Sequence, residues 1–178
     1  MTVKTLTAVQ QRRRERILHS TRDQLSQVGY EGLNMRELAV IADVSTSTLY
    51  NLYQSKDALI LAALEDQLAE INAVVVKTNT SGLGRYVARV EAVADQIVET
   101  PKYAEAMGKM LFSADAQDPI VQLLIGTSLS FNREELAEMA VSGELRLETD
   151  RDFLARLLSS VGWSTVLMWM KGYVALHD

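Results

Sequence analysis

The sequence contains no cysteine. That removes disulfides, thiolate nucleophiles and cysteine-held metals, and it fits a reducing compartment, the cytoplasm being the expected one. Histidine is nearly as scarce: His19 and His177 stand apart, and neither belongs to a metal-ligand or acid-base motif. With no Gly-rich phosphate loop and no HExxH run, the chain lacks a catalytic constellation, so neither an enzyme nor a metal centre nor a cofactor is expected. Proline occurs twice, at Pro101 and Pro119, and the nine glycines fall with them at or near breaks in helical patterning. Sustained strand-type alternation is also missing, which leaves an all-α fold. The longest apolar run, Leu157 to Met170, has 14 residues and includes three serines, a threonine and a glycine. It is too short and too polar for a bilayer span of about 20 residues, and no apolar run follows the N-terminal charges, so neither a membrane partner nor a secretory signal is expected.

What is present is material for a core and an uneven distribution of charge. Hydrophobic residues make up 48% of the 178, which suits one large domain or two small ones. The net charge of −5 hides a split: residues 1–60 carry eight Lys/Arg against six Asp/Glu, and the remainder carries ten against 17. An acidic average therefore does not exclude a polyanionic partner at the basic end, where RRRER occupies Arg12–Arg16. A solvated helix start accounts for such a run equally well.

Residues 1–10 lack periodicity and read as a loose arm. Ile17, Leu18, Thr21, Leu25 and Val28 share one face and predict a helix over 11–28, with Gly29 where a left-handed stop is wanted. Asn34 can cap a second, short helix carrying Met35, Leu38, Ala39 and Ala42 inward, with Glu37 completing a capping box. Ser45 can cap a third over 46–53, anchored by Leu49, Leu52 and part of Tyr53. Ser55 caps a fourth that runs to about Lys77, after which TNTSGLG breaks the pattern. Further helices are predicted over 84–99, 101–112 and 119–141, the last opened by Asp118-Pro119, and from Asp150 to near 176.

A helix of two turns is not stable alone, so the third must be held by the first two. With its inward residues accounted for, Thr46, Ser47, Thr48, Tyr50 and Asn51 are left pointing outward. Short hydrogen-bonding side chains at a helix N-terminus can donate to phosphates and read base edges; asparagine suits adenine, and a threonine methyl suits that of thymine. This is the geometry of a helix-turn-helix reader. The segment MRELAVIADVSTSTLYNLYQSKDALILAAL, Met35–Leu64, resembles the DNA-binding domain of the tetracycline-repressor (TetR) family, whose pattern V-S-x-x-T-hydrophobic-Y-x-x-aromatic-x-[ST]-K-[DE]-x-L is met at nearly every element, with the likeness extending over residues 16–61. The resemblance implies that Thr46, Ser47, Thr48 and Asn51 face bases beside the cap Ser45, and that Tyr50, Lys56, Arg36 and Asn34 hold phosphates. Thr46 stands where the family often has a basic residue, which lowers affinity at moderate salt, and Leu52 where it often has an aromatic or histidine. On this reading residues 1–54 form the three-helix reader and residues 55–178 a helical domain for ligand binding and dimerisation.

A lone three-helix reader contacts little DNA, so a homodimer on a pseudo-palindromic duplex operator is expected. In the resembling family the last two helices pack against their twins as a four-helix bundle. Gly126, Ser128, Ser159, Ser160 and Gly162 are small enough for such close approach, although packing within one subunit uses small residues in the same way. Tyr103, Met107, Met110, Phe112, Trp163 and Met168 are candidates to line an apolar ligand pocket, with Arg85 and Arg89, one turn apart, to anchor a carboxylate or phosphate. TPKYAEAMGKMLFSADA and WSTVLMWM are similar to the branch of the family that represses steroid and lipid catabolism, which implies a small hydrophobic or acyl-CoA-like effector. The expected function is a repressor that such an effector releases from its operator. The alternative, a helical protein-interaction module without DNA binding, predicts no salt-dependent DNA affinity.

Overall fold

The computed structural model describes residues 7–113, 115–146 and 148–176. Among them run eight helices and no strand: α1 (Ala8–Gly32), α2 (Met35–Ile41), α3 (Thr46–Tyr53), α4 (Lys56–Lys77), α5 (Gly82–Glu99), α6 (Pro101–Ser113), α7 (Pro119–Ser142) and α8 (Arg151–Met170). Side-chain caps set most of the starts. Ser45, Ser55 and Asp150 accept from the N–H groups of Thr48, Ala58 and Phe153 at 3.1, 3.0 and 2.9 Å. Asn34 accepts from Arg36 at 2.9 Å rather than from Glu37, so the expected capping box does not form there. One forms instead at Thr7 and Gln10, and it starts α1 earlier than the apolar periodicity indicates. Of the arm expected over 1–10, residues 1–6 lie outside the described residues, and Ala8–Gln10 are already helical.

The ends follow backbone chemistry. Gly29 adopts φ +68° and interrupts α1 where a left-handed residue was expected. At the other end of the chain, α8 stops at Met170 rather than near 176. Gly172 takes φ +74°, and the N–H groups of Gly172 and Tyr173 bond back to the carbonyls of Trp169 and Met168, both at 2.9 Å, closing a Schellman motif.

The chain divides into two compact units, Met1–Gln67 and Leu68–Asp178. In the first, Ile17 and Leu18 of α1, Met35, Leu38 and Ala39 of α2, Ala42, and Leu49 of α3 close on Leu59 and Ala63 of α4. Because those α4 residues are fully buried there, the packing division lies beyond the 54/55 boundary read from the sequence. The second unit is built around the α7–α8 pair. Asn132 donates from Nδ2 to Ser159 Oγ at 2.8 Å, and Ser128 and Ser159 hydrogen-bond at 3.1 Å, next to the apolar contacts of Leu136, Met139 and Ala155. Gly108 of α6 lies so close to α8 that a Cβ there would collide with Met170 Sδ. Within α8 a stretch of 18 residues reaches a mean hydropathy of 1.2, so by length and composition alone the helix could cross a membrane, whereas the 14-residue run read from the sequence is too short. Its bare apolar face carries Phe153, Leu157, Val161 and Met168.

Leu49 is 0% exposed at the centre of the first core. Leu49→Ala is expected to destabilise that unit by about 2–5 kcal/mol, measured by urea unfolding of the whole chain.

Candidate functional site

The inner side of α3 is filled by Leu49 and by Tyr53, whose hydroxyl is held above its ordinary pKa by burial. Opposite them Ser47, Tyr50 and Asn51 are exposed, and Thr46 and Thr48 half-buried. The Ser45 hydroxyl meets those of Ser47 and Thr48 at 2.9 and 2.7 Å, so a cluster of three hydroxyls crowns the helix N-terminus. Leu52, expected inward, is 51% exposed, because Leu49 and Tyr53 already occupy the inner face of so short a helix. Asn34 and Arg36 are exposed at the start of α2. Lys56 is placed differently from a side chain extended toward phosphate. Its ammonium donates to the Tyr30 carbonyl at 3.0 Å and lies 4.2 Å from the Tyr30 ring centroid, tying the end of α1 to the start of α4.

The basic run splits by helical direction. Arg12 and Arg13 are exposed. Arg14 pairs at 2.7 Å with Asp66, which also meets Arg22 at 3.6 Å. Arg16 donates from Nε to the Ala42 carbonyl at 2.7 Å and from Nη2 to the Asp43 carbonyl at 3.2 Å. The sequence could show the charge of these arginines but not their partners, which lie 26 to 52 residues away. Among the described residues no group of three or more His, Asp and Glu side chains is placed to hold a metal; His19 meets only Asp23, at 3.4 Å on an exposed face.

The second unit holds a cavity of about 440 Å³ that opens broadly to solvent as a groove, lined by Leu68 and Asn72 of α4, Arg89 of α5, and Gln122, Leu123, Gly126, Thr127, Ser130, Phe131 and Glu134 of α7. Of the residues proposed from sequence for a ligand site, Arg89 alone is in that lining. It bonds to Asn72 Oδ1 at 2.6 Å, its guanidinium lies 4.1 Å from the Phe131 ring centroid, and its buried Nε–H finds no hydrogen-bond partner among the described residues. Burial holds the Arg89 pKa below the ordinary arginine value, against the opposing pull of Glu135. Arg85 is committed elsewhere. Its Nε donates to Glu135 at 2.6 Å and its Nη2 to Glu138, and the Glu135 bond raises its pKa. With those carboxylates in place Arg85 is not offered to the cavity.

Tyr103 and Met107 are buried on α6 and Met110 is half-buried, while Phe112 and Met168 are each 46% exposed. Trp163 is half-buried, and its indole N–H has no acceptor among the described residues. Asn72, Phe131, Thr127 and Ser130 went unread because helices far apart in the chain bring them together.

A short reader helix braced in a helix-turn-helix, followed by an all-helical unit with its own cavity, defines a class: the helix-turn-helix transcriptional regulators. The profile of the bacterial regulatory proteins, tetR family, matches residues 17–63. The chain is 30% identical over 177 residues to the HTH-type transcriptional repressor KstR of Mycobacterium tuberculosis (strain ATCC 25618 / H37Rv), a match covering 95% of this chain and 76% of that protein. In fold it is similar to a TetR-family chain from Rhodococcus sp., with TM-score 0.80, 19% identity and coverage of 94% and 92% of the two chains. It is similar also to the transcriptional regulator FadR of Bacillus subtilis, solved in complex with stearoyl-CoA, with TM-score 0.75, 15% identity and coverage of 91% and 90%. The chain belongs to the TetR family, whose members are DNA-binding transcriptional regulators and not enzymes.

Glu135 is almost wholly buried, with 3% of its side chain exposed. Arg85→Met leaves that carboxylate without its cation and is expected to cost about 3 kcal/mol, the lower end for a broken buried pair because Arg85 keeps water contact. Adding Glu135→Gln should recover part of the loss in thermal unfolding.

Proposed function

We propose that the protein is a homodimeric repressor whose residues 1–54 read a pseudo-palindromic operator and whose residues 55–178 dimerise and bind an apolar, anion-bearing effector of the acyl-CoA type. The observation that carries this is the outward face of α3: Ser47, Tyr50 and Asn51 stand exposed on a helix whose other side is locked in the core. Thr46, Ser47, Thr48 and Asn51 approach bases, Ser45 presents the helix N-terminus to a phosphate, and Tyr50, Arg36 and Asn34 flank it. Lys56 supports this face from behind through Tyr30.

The bare apolar face of α8 supports dimerisation. Phe153, Leu157 and Val161 recur one turn apart at 58%, 45% and 55% exposure, and Gly162 beside them has open space where a Cβ would stand. A face of that kind buried against its two-fold mate gives an isologous helical interface. Val161→Glu is expected to convert the dimer to a folded monomer in sedimentation equilibrium and to weaken operator binding at least tenfold, since one reader contacts half the site.

Arg89 supports the effector class. It is a partly buried guanidinium at the cavity with a carboxamide partner and an unused Nε–H, which suits a carboxylate, phosphate or thioester carbonyl, while Phe131, Leu68 and Leu123 suit an acyl or ring system. Binding that favours the DNA-incompetent dimer by roughly 1–3 kcal/mol would loosen the operator about 5- to 150-fold. The test selects bound sequences from random duplexes, then measures release of the recovered operator by long-chain acyl-CoA thioesters. A palindrome and thioester-driven release are expected. Arg89→Gln should need at least tenfold more thioester for half release, relative to its own effector-free affinity.

A further inference from the structure

The turn between α2 and α3 sets the angle at which the reader helix stands, and one side chain from outside the turn holds it. Asp43 sits in the turn at φ +52°, in the left-handed region that non-glycine residues seldom adopt. The N–H groups of Ala42, Asp43 and Val44 are satisfied within the turn, by the carbonyls of Leu38, Val40 and Ala39 at 2.8, 3.1 and 2.9 Å. The carbonyls of Ala42 and Asp43 are met from α1 by Arg16, through Nε at 2.7 Å and Nη2 at 3.2 Å. Those two carbonyls belong to the peptide planes on either side of the Asp43 Cα, so the guanidinium fork fixes both planes and with them the backbone angles of Asp43. The backbone from which Arg16 reaches is fixed, because the next residue, Ile17, is fully buried in the core, while the Arg16 side chain itself is 49% exposed.

We infer that Arg16 is a positioning residue for base reading: it holds the hinge that orients α3, and it is not one of the phosphate-binding cations of the basic run. The inference rests on α3 being the DNA-reading helix. Its leverage is geometric. Eight helical residues span roughly 12 Å, so a hinge error of about 10° moves the far end of α3 by roughly 2 Å, more than side-chain hydrogen bonds to base edges tolerate. A planar guanidinium reaches two neighbouring carbonyls at once, which a lysine ammonium does not reproduce. The Asp43 carboxylate, 3.6 Å from Arg16 Nη2 and 91% exposed, adds little to this.

The test compares wild type with Arg16→Gln and Arg16→Lys, binding the selected operator and a random duplex across a salt series, well below the melting temperature of each variant. Both variants are expected to lose roughly tenfold on the operator, the size of one lost base contact, with random-duplex affinity and the salt slope unchanged. Equal loss on both duplexes, a salt slope reduced by about 0.9 and rescue by lysine would make Arg16 a phosphate contact and overturn the inference. Unaltered operator affinity in folded variants would reduce Arg16 to a stability brace, which also overturns it. A wild-type chain that selects no operator at all would instead sink the DNA-reading proposal beneath it.

Discussion

Eight residues cannot hold a helix in water, because the ordering of the first turn outweighs the few hydrogen bonds that follow. The existence of α3 as a defined surface therefore depends on the burial of Leu49 among side chains from α1, α2 and α4. Everything polar on the other side inherits its position from that contact. Ser45, Ser47 and Thr48 can cluster their hydroxyls, and Tyr50 and Asn51 can stay in solvent, only because the opposite face is anchored to a core that extends as far as Ala63.

The same logic sorts the charges. Four arginines in one short run suggest four equivalent cations, but a helix aims successive residues about 100° apart, and only part of the run can face outward. Arg14 is turned toward Asp66 and Arg16, though itself exposed, reaches back to the α2–α3 turn, while Arg12 and Arg13 are exposed on the outer side. In the second unit Arg85 and Arg89 repeat the pattern one turn apart. One neutralises a buried carboxylate, and the other reaches the cavity with a neutral amide as its partner.

Local chemistry was legible in the sequence and long-range pairing was not. The caps at Asn34, Ser45, Ser55, Asp118 and Asp150 stand where expected, since a cap acts on N–H groups two or three residues away. The span of α3 followed from its cap together with Leu49 and Tyr53, although Leu52, counted with them as inward, faces solvent. By contrast, nothing near Lys56 announces that its ammonium belongs to Tyr30, and nothing near Arg85 announces Glu135, 50 residues on. The cavity lining was hidden for the same reason. Methionines and aromatics mark a helix as apolar without saying whether they face a neighbour or a void, and Tyr103 and Met107 proved to be buried on α6 away from the cavity lining. The end of α8 was readable in principle: Gly172, just after Lys171, is the left-handed stop, masked by the apolar Val174, Ala175 and Leu176 that follow it.

The amide of Asn132 and the hydroxyls of Ser128 and Ser159 meet within the seam of α7 and α8, next to the apolar contacts of Leu136, Met139 and Ala155. Such a contact acts as a pin. Slide or roll α8 by one residue and a hydrogen-bonding group is stranded in hydrocarbon, so competing alignments are penalised far more than the chosen one is rewarded. Whichever surface α8 turns outward is thus dictated from the inside, and any molecule that docks there meets the same ridge on every copy of the chain.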